Sequence, residues 1–454
     1  MTHSKRMRVE EPLNAVSRAQ VQIFSSDLRA VAARWTLIIV EFGAVQMLVQ
    51  ALLAVSGLII VRTLSKEQYA LFTIANSMQA TANLLGDLGI GLGLRSIGGR
   101  VCDDRRRFGA LLNTAFAMRR GFAVVAATFC LPVALWMLRK NGATWLEAAG
   151  LCAAVSAGVA GLIGSSVWNI SPLLHQEYRR LQKLDLANAA ARTVMLAAMT
   201  AGRINALFAA TVGVIGNWSQ SFFLKRWAQD HAERNAEANR DDRRDLWQIS
   251  LKCLPNTLFF CFQGQLTLLI LSFTGNAAGI AEVTALGRVA ALLAVFSTVF
   301  VSLIVPRFMR CQERDRLRAL YLFLLAGTAG ALTPFLLFAW FFPEPFLWLL
   351  GGQYQHLGRE CGWVVAAGCV GQIGGVMWAL NSSKAWIRYQ AATFIPVILS
   401  TQVAAAYFLD LHQFHDVLVF NVISAAAPLA IYAADAWAAL RCAPGSKFQV
   451  QSST

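Results

Sequence analysis

Four polar residues in an otherwise apolar segment, Val61–Ser96, have the spacing of one helix face. Asn76, Gln79, Asn83 and Asp87 follow one another at intervals of three, four and four residues, so a helix presents all four on one side over about three turns. Amides hydrogen-bond to hydroxyl groups, and a carboxylate pairs with a cation or carries a proton. A carboxylate within a bilayer costs a few kcal/mol unless it is paired or hydrated. The stripe therefore predicts a polar surface that faces a bundle interior or an aqueous cavity.

A second polar face follows near residue 255. Lys252, Asn256 and Gln263 are separated by four and seven residues, and Pro255 among them predicts a kink or hinge. Interhelical hydrogen bonds explain amides that occur singly, whereas several on one face favour a ligand. The other ionisable candidates are scattered through apolar segments or lie near their ends: Glu41, Arg62, Arg95, Arg288 and Asp435. Snorkelling to the membrane surface is the alternative explanation for Arg62 and Arg95.

Composition indicates that these residues belong to membrane helices. The chain has 454 residues, of which 56% are hydrophobic and 14% charged, and its mean hydropathy is +0.50. Soluble proteins carry about a quarter charged residues. The apolar stretches are long enough to cross a bilayer, which takes about 20 residues each. We predict an all-α polytopic membrane protein with twelve spans, near residues 36–62, 69–94, 118–138, 145–170, 184–202, 204–224, 249–273, 281–306, 319–342, 361–381, 391–409 and 417–440.

The distribution of basic residues predicts the orientation. With the N-terminus inside, 33 of the 40 Lys and Arg residues fall in the tails and in alternate loops, the pattern of the positive-inside rule. Both termini are then cytoplasmic, and the net charge of +15 reflects topology rather than a nucleic-acid site. The first 34 residues lack the apolar core and cleavage site of a signal peptide, so we expect the first span to be retained.

A charged insert, 225–247, divides the chain into two halves of six spans each. It has six basic and six acidic residues, which predicts a solvated linker. We expect a cytoplasmic tail (1–34), a six-helix bundle (35–228), a charged cytoplasmic linker (229–247), a second six-helix bundle (248–442) and a tail (443–454). Two bundles that enter the membrane in the same direction are one repeat design of transporters, with a central cavity between them.

Several kinds of chemistry are not predicted. The nine cysteines form no CxxC pair or Cys/His cluster, so we expect neither disulfides nor a metal site. The glycines of "GDLGIGLGLRSIGG" match neither phosphate-loop pattern. The histidines are scattered, and no catalytic constellation stands out. We expect no cofactor and no enzyme activity.

The segment Val61–Ser96 resembles the start of the polysaccharide flippases, which belong to the multidrug/oligosaccharidyl-lipid/polysaccharide exporter superfamily. The resemblance rests on "RTLSKEQYALFTIA" and "LLGDLGIGLGLRS", with Arg62, Leu64 and Tyr69 and the run 87–89 at the family's positions. "LPNTLFFCFQGQLTLLIL" resembles the family's Pro-then-Gln pattern through Pro255 and Gln265. Ala70 and Phe72 depart from the motif.

The resemblance implies translocation of a lipid-linked oligosaccharide, usually on undecaprenyl pyrophosphate, across a bacterial inner membrane for surface or exopolysaccharide synthesis. The mechanism would be alternating access between the two bundles. Glycan polymerases and other polysaccharide assembly proteins are the expected partners, besides membrane lipid. Pyrophosphate contacts are expected from Arg62, Arg95, Lys252 and Arg288. Sugar contacts are expected from Asn76, Gln79, Asn83, Asn256 and Gln263. The candidates for H⁺ or Na⁺ coupling, or for pairing with these cations, are Glu41, Asp87 and Asp435.

Three alternatives remain open. A multidrug or small-molecule exporter of the same superfamily shares every pattern above. A membrane-embedded glycan polymerase or ligase usually needs a sizeable external loop, whereas the largest here, 343–360, is short. A non-transporting scaffold of a glycan assembly complex leaves the polar stripes without a ligand.

Overall fold

The computed structural model describes residues 44–175, 177–198, 205–234, 236–273, 277–291, 313–384, 389–411 and 413–441, with a few single positions at 293, 300, 304–305, 308 and 386. Lys252 and Asn256 are described in their backbone alone. Every regular element within these ranges is a helix. Seven of the helices are long and apolar enough to cross a membrane. The packing described below concerns residues from 49 onward.

The described residues of the first half form eight helices. They are α1 (Ala44–Thr63), α2 (Lys66–Asp87), α3 (Ile90–Val101), α4 (Arg105–Lys140), α5 (Trp145–Trp168), the short α6 (Ile170–Leu174), α7 (Tyr178–Ala198) and α8 (Ala206–His231). Their starts carry side-chain caps where the sequence supplies them. Asp104 accepts from the amides of Arg106 and Arg107 at the start of α4, and Thr144 forms a capping box with Glu147 at the start of α5.

The second half comprises seven helices in the described ranges. They are α9 (Arg240–Phe273), α10 (Ala277–Ala291), α11 (Arg314–Phe341), the short α12 (Glu344–Leu350), α13 (Gly358–Ser383), α14 (Gln390–Phe408) and α15 (Phe414–Arg441). Pro255 lies inside α9 and Pro428 inside α15 without ending either helix.

The predicted continuous helix over 69–94 is wrong. The chain leaves the helix at Leu88 and Gly89, which have φ of 39° and 82°, and resumes as α3. Gly89 is required here for two reasons. Its φ is positive, and a Cβ would lie 2.7 Å from Cys253 Sγ of α9. The carboxylate of Asp87 then accepts from the amide of Gly91 at 3.2 Å, which gives the first turn of α3 a hydrogen-bond partner.

Helix α2 lies at the centre of the packing. It contacts α4, α5 and α8 of the first half and α9 and α10 of the second. Its apolar face is buried in the first half of the helix, where Ile74 and Met78 are 0% and 2% exposed, whereas Leu85 lines an open groove. The polar stripe on the other side faces helices of the first half, because Asn76 and Gln79 lie beside α5, α7 and α8, and Asp87 lies beside α4.

The insert between the halves is exposed along most of its described residues, and it is also hydrogen-bonded to α4. Its two ends extend α8 and α9, and the intervening residues are hydrogen-bonded to α4. The Asn113 amide donates to the carbonyls of Arg234 and Ala236 at 3.2 and 2.9 Å, and the amide N–H of Asn239 donates to Thr114 Oγ1 at 3.0 Å. The charged side chains of the insert are exposed except that of Asp242, while hydrogen bonds between side chains of α4 and the backbone of the insert hold its path along that helix.

Asp242 shows how closely the insert is held. Its carboxylate is 3% exposed and lies 3.0 Å from Arg107 of α4. Burial raises the pKa of Asp242, and the Arg107 guanidinium opposes that rise.

Candidate functional site

The polar stripe of α2 divides between two environments. Asn76 and Gln79 line a cavity of about 110 Å³ between α2, α5, α7 and α8. Asn83 and Asp87, one to two turns further along, bind a buried arginine of α4 instead. The structure therefore does not bring all four residues into one ligand site.

The cavity combines amides with a guanidinium group. Arg192 of α7 and Asn217 of α8 complete its polar wall beside Asn76 and Gln79. Gln79 lies against Gly158 of α5, where a Cβ would come within 2.2 Å of its Oε1. The glycine therefore makes room for the amide beside the cavity.

Arg192 was not among the candidates from the sequence. It was counted with the basic residues of a cytoplasmic segment because it lies only eight positions beyond Leu184, where a span was predicted to begin. The structure places it inside the bundle, where its Nε is buried and, among the described residues, has no hydrogen-bond partner. The adjacent residue Thr193 donates to the Leu52 carbonyl of α1 at 3.1 Å, one to two turns from Gly57, where the Arg288 side chain also packs on α1.

Arg288 brings the second half into the same region. It lies on α10, and its Nε donates to Tyr69 Oη of α2 at 3.4 Å. Its side chain also covers Gly57 of α1, where a Cβ would lie 3.1 Å from a guanidinium nitrogen. Within the part of the chain that the structure describes, neither Arg192 nor Arg288 lies within 4 Å of a carboxylate.

Asp87 belongs to an ion pair between α2 and α4. Arg119 Nη1 lies 2.5 Å from Asp87 Oδ1, and Arg119 Nη2 donates to Asn83 Oδ1 at 3.0 Å. The Arg119 side chain is 4% exposed and that of Asp87 30%. Arg119 stands at the edge of the predicted span that starts at residue 118, so the sequence did not single it out, and the packing of α4 against α2 buries it.

We call Arg192 and Arg288 the central arginines. Arg62 and Arg95, the other two predicted arginine contacts, have different surroundings. Arg62 donates through Nε to the carbonyl of Leu349 at 2.9 Å, donates also to the carbonyl of Trp348, and stacks over the Trp348 ring. Arg95 is exposed on α3. Carbonyl groups therefore occupy Arg62 in this conformation.

Arg62 is part of a wider contact between the α1–α2 corner and the segment 348–356. Gln353 Nε2 donates to the carbonyls of Val61 and Leu64 at 2.9 and 3.2 Å. Lys66 Nζ lies 2.6 Å from Glu282 Oε1 of α10, which also lies 3.0 Å from His356 Nε2. We call this set of contacts the corner latch. It joins the two halves at the end that the charge pattern predicts to be external.

The remaining candidates have diverse placements. Gln263 lies on α9, and its Oε1 is buried with no hydrogen-bond partner in the described part. Asp435 is buried and accepts from the amide N–H of Tyr389 at 2.6 Å, near the start of α14. The side chains of Lys252 and Asn256 and the whole of Glu41 lie outside the described residues.

Gln265, which carries part of the family resemblance, joins the two halves. Its Nε2 donates to Ser77 Oγ at 2.8 Å and to Thr81 Oγ1 at 2.6 Å on α2. Hydrogen bonds of this kind hold membrane helices together without a ligand.

The arrangement suits an anionic group with hydroxyls attached. Two guanidinium groups without carboxylate partners supply fixed donors and positive charge for phosphate or carboxylate oxygens. The amides of Asn76, Gln79 and Asn217 both donate and accept hydrogen bonds, as recognition of hydroxyl groups requires.

Comparisons with known proteins define the fold. No family model and no curated protein sequence matches the chain. Solved structures do match over most of its length, and they are transporters of the MATE family of the MOP superfamily. That fold has twelve transmembrane helices in two bundles, so the fold class predicted from the sequence is confirmed.

Three of these structures illustrate the likeness. An inward-facing multidrug resistance MATE transporter superposes with a TM-score of 0.64 at 16% identity, covering 86% of this chain and 95% of the other. A eukaryotic MATE transporter gives 0.52 at 9% identity, covering 87% and 96%. A Pyrococcus furiosus transporter of the MOP superfamily, described as having a binding pocket of reversed polarity, gives 0.51 at 17% identity, covering 89% and 95%.

Proposed function

We propose that this protein is a transporter that carries an anionic, hydroxyl-rich amphiphile across the membrane, and that its cargo is a lipid-linked oligosaccharide bearing pyrophosphate. The observation that carries the proposal is the pair Arg192 and Arg288. Two guanidinium groups that lie beside the same part of α1 and have no described carboxylate partner are costly inside a helical bundle. An anionic ligand would remove that cost.

The cargo chemistry follows from the two parts of the site. A pyrophosphate presents several anionic oxygens, which match the forked donors of arginine. Sugar hydroxyls match the amides of Asn76, Gln79 and Asn217. Such a headgroup cannot cross hydrocarbon alone because its polar groups would lose their hydrogen bonds. Its lipid chain has no such need and stays in the bilayer.

Alternating access between the halves supplies the movement. The corner latch holds α1 and α2 to α10 and the 348–356 segment, at the end predicted to be external. An inward-facing conformation is supported by this contact and by the higher TM-score of the inward-facing transporter, 0.64 against 0.52 for an outward-facing one. Headgroup release outside would require the latch to open.

The proposal includes the cellular setting. The protein would lie in a bacterial inner membrane with both termini in the cytoplasm, and glycan polymerases would take up the flipped units. Proton or sodium coupling remains part of the proposal. Asp87 already pairs with Arg119, so the pair rather than a free carboxylate would have to respond to an ion.

Reconstituted protein tests the cargo directly. Proteoliposomes would be loaded with a fluorescent undecaprenyl-pyrophosphate oligosaccharide, and its accessibility to an external glycosidase would be followed. Arg192→Gln and Arg288→Gln should each slow translocation at least tenfold, whereas Arg95→Gln on the exposed face of α3 should not. Unchanged rates in both central variants would refute the assignment.

A multidrug exporter is the second candidate, and the comparisons favour it, since the solved structures include MATE transporters described as multidrug resistance proteins. The central arginines restrict this candidate, because a site with two uncompensated positive charges repels cationic drugs. Efflux assays with anionic and cationic dyes, beside the glycolipid assay, separate the candidates. Dye efflux without glycolipid translocation would establish the exporter.

A further inference from the structure

A lateral groove between α4 and α5 is separate from the central site. It has a volume of about 480 Å³, and small or apolar side chains form most of its wall. The main wall residues are Ala123, Ala127 and Leu131 of α4, Ala160 and Ile163 of α5, and Trp218 of α8. Val124 and Trp218 at its rim are 68% and 52% exposed. Because α4 has the length and hydropathy of a membrane span, this exposed apolar rim contacts lipid.

One cation lies at an end of this groove. Arg120 lines it together with Phe116, whose ring centroid lies 6.0 Å from the guanidinium carbon. The other polar groups of the wall are already used. Ser156 Oγ donates to the Cys152 carbonyl at 2.9 Å, and Trp218 Nε1 donates to the Ala157 carbonyl at 2.9 Å. Among the described residues, Arg120 has no ion-pair partner.

The depth of Arg120 matches a headgroup. Twenty residues separate it from Lys140, the last residue of α4, which corresponds to about 30 Å of helix, the thickness of a hydrocarbon core. Leu131 lies eleven residues beyond Arg120, or about 16 Å along the helix, close to half that thickness. The groove therefore runs from one membrane surface to about the bilayer centre.

We infer that the α4–α5 groove binds an anionic phospholipid of the leaflet predicted to be cytoplasmic, with its phosphate on Arg120 and one acyl chain along Ala123, Ala127 and Leu131. The charge, the apolar wall and the length each match one part of such a lipid. A second groove lies on the other flank of α4 and is lined by Phe122, Val125 and Phe129. Its volume, about 520 Å³, is similar, but its described lining residues include no Lys or Arg. It provides an internal comparison.

The inference is tested with the full-length protein in mild detergent. Native mass spectrometry would measure the binding of phosphatidylglycerol and of phosphatidylcholine with the same acyl chains. Phosphatidylglycerol should bind more tightly, and Arg120→Gln should weaken it about tenfold, the effect of losing one charge-assisted contact, while phosphatidylcholine binding stays unchanged. Ala127→Phe should weaken both lipids because it fills the chain site.

Matched variants control for charge and size. Arg106→Gln removes an exposed cation from the first turn of the same helix, and Val125→Phe adds bulk on its other flank. Neither should change phosphatidylglycerol binding by more than about twofold. Photoactivatable phosphatidylglycerol should label peptides of α4 and α5 in the unmodified protein, which tests the site without relying on a variant.

Two results would overturn the inference. One is phosphatidylglycerol binding that survives both Arg120→Gln and Ala127→Phe, together with labelling elsewhere. The other is displacement of all phosphatidylglycerol from this groove by an isoprenyl pyrophosphate at equal concentration, which would assign the groove to the cargo's chain. Both readouts measure lipid binding without transport, so they are independent of the proposed function.

Discussion

Arg119 of α4 and Asp87 of α2 form a 2.5 Å ion pair, and Asn83 accepts a second hydrogen bond from the same guanidinium. The pair lies at the point where α2 ends, and Asp87 also accepts from the Gly91 amide of α3. One carboxylate thus joins three helices. This placement supports a structural role, and it leads to a prediction about stability.

Asp87→Ala should lower the stability of the protein by about 3 kcal/mol, because it leaves a buried guanidinium without its counter-charge. Thermal unfolding in detergent, followed by tryptophan fluorescence, measures the loss. Arg119→Met should cost less, since it removes the buried charge. The double variant should be no less stable than Asp87→Ala alone.

The same variants test the role of Asp87 in transport. A positioning role predicts that the double variant Asp87→Ala/Arg119→Met regains much of the translocation lost by Asp87→Ala. If Asp87 carries a coupling ion, activity stays absent even when stability returns, and the structural interpretation is wrong.

Neutralising either central arginine should stabilise the protein while it impairs transport. Arg192→Gln or Arg288→Gln removes a positive charge that has no described carboxylate partner, and the melting temperature should rise by about 2 °C or more. Sites whose charges are arranged for a ligand commonly sacrifice stability in this way.

Anion binding provides the complementary measurement. Inorganic pyrophosphate should raise the melting temperature of the unmodified protein but should have little effect on the double variant Arg192→Gln/Arg288→Gln. A lower melting temperature in both single variants, without any pyrophosphate effect on the unmodified protein, would argue against an anion site.

Weakening the corner latch should increase the separation of the two halves at the end that the charge pattern predicts to be external. Arg62→Ala combined with Glu282→Gln removes the contacts to the Trp348 and Leu349 carbonyls and the ion pair with Lys66. Spin labels at Glu67 and Gln355, both exposed, report the distance by pulsed electron resonance. The distribution of distances between the two labels should shift toward longer values.

Gln68→Ala is the control for the latch. Gln68 hydrogen-bonds Glu147 and the Ala206 amide, so it joins elements of the first half alone. The label distances should not change. Equal broadening in both variants would mean that the latch has no special role in holding the halves together.

Asp242→Asn should stabilise the protein increasingly as pH rises. Burial raises the pKa of Asp242 in the folded protein, so folding favours its protonated form. That contribution is fully present below the unfolded-state pKa of about 3.9 and is lost as pH rises through the folded-state pKa. Melting temperatures from pH 4 to pH 8 check the trend, and a difference between Asp242→Asn and the unmodified protein that stays constant over this range would contradict it.

Local patterns in the sequence determined the class of fold. Apolar runs of span length and the distribution of 33 basic residues depend on solvation by lipid and on insertion, which act on each segment separately. The spacing of Asn76 and Gln79 likewise followed from helix geometry alone, and the structure does place both on the wall of one cavity.

Tertiary structure decided which charges meet. Arg119 and Arg192 stand near the edges of apolar runs, which predicts solvated side chains, but Arg119 is buried against Asp87 and Arg192 lines the cavity between α2, α5, α7 and α8. The need for glycine at position 89 depends on the approach of Cys253 from a helix more than 160 residues away. A sequence fixes the type and spacing of its polar groups, whereas their partners depend on contacts between distant helices, and here those contacts separated an ion pair from an uncompensated pair of arginines.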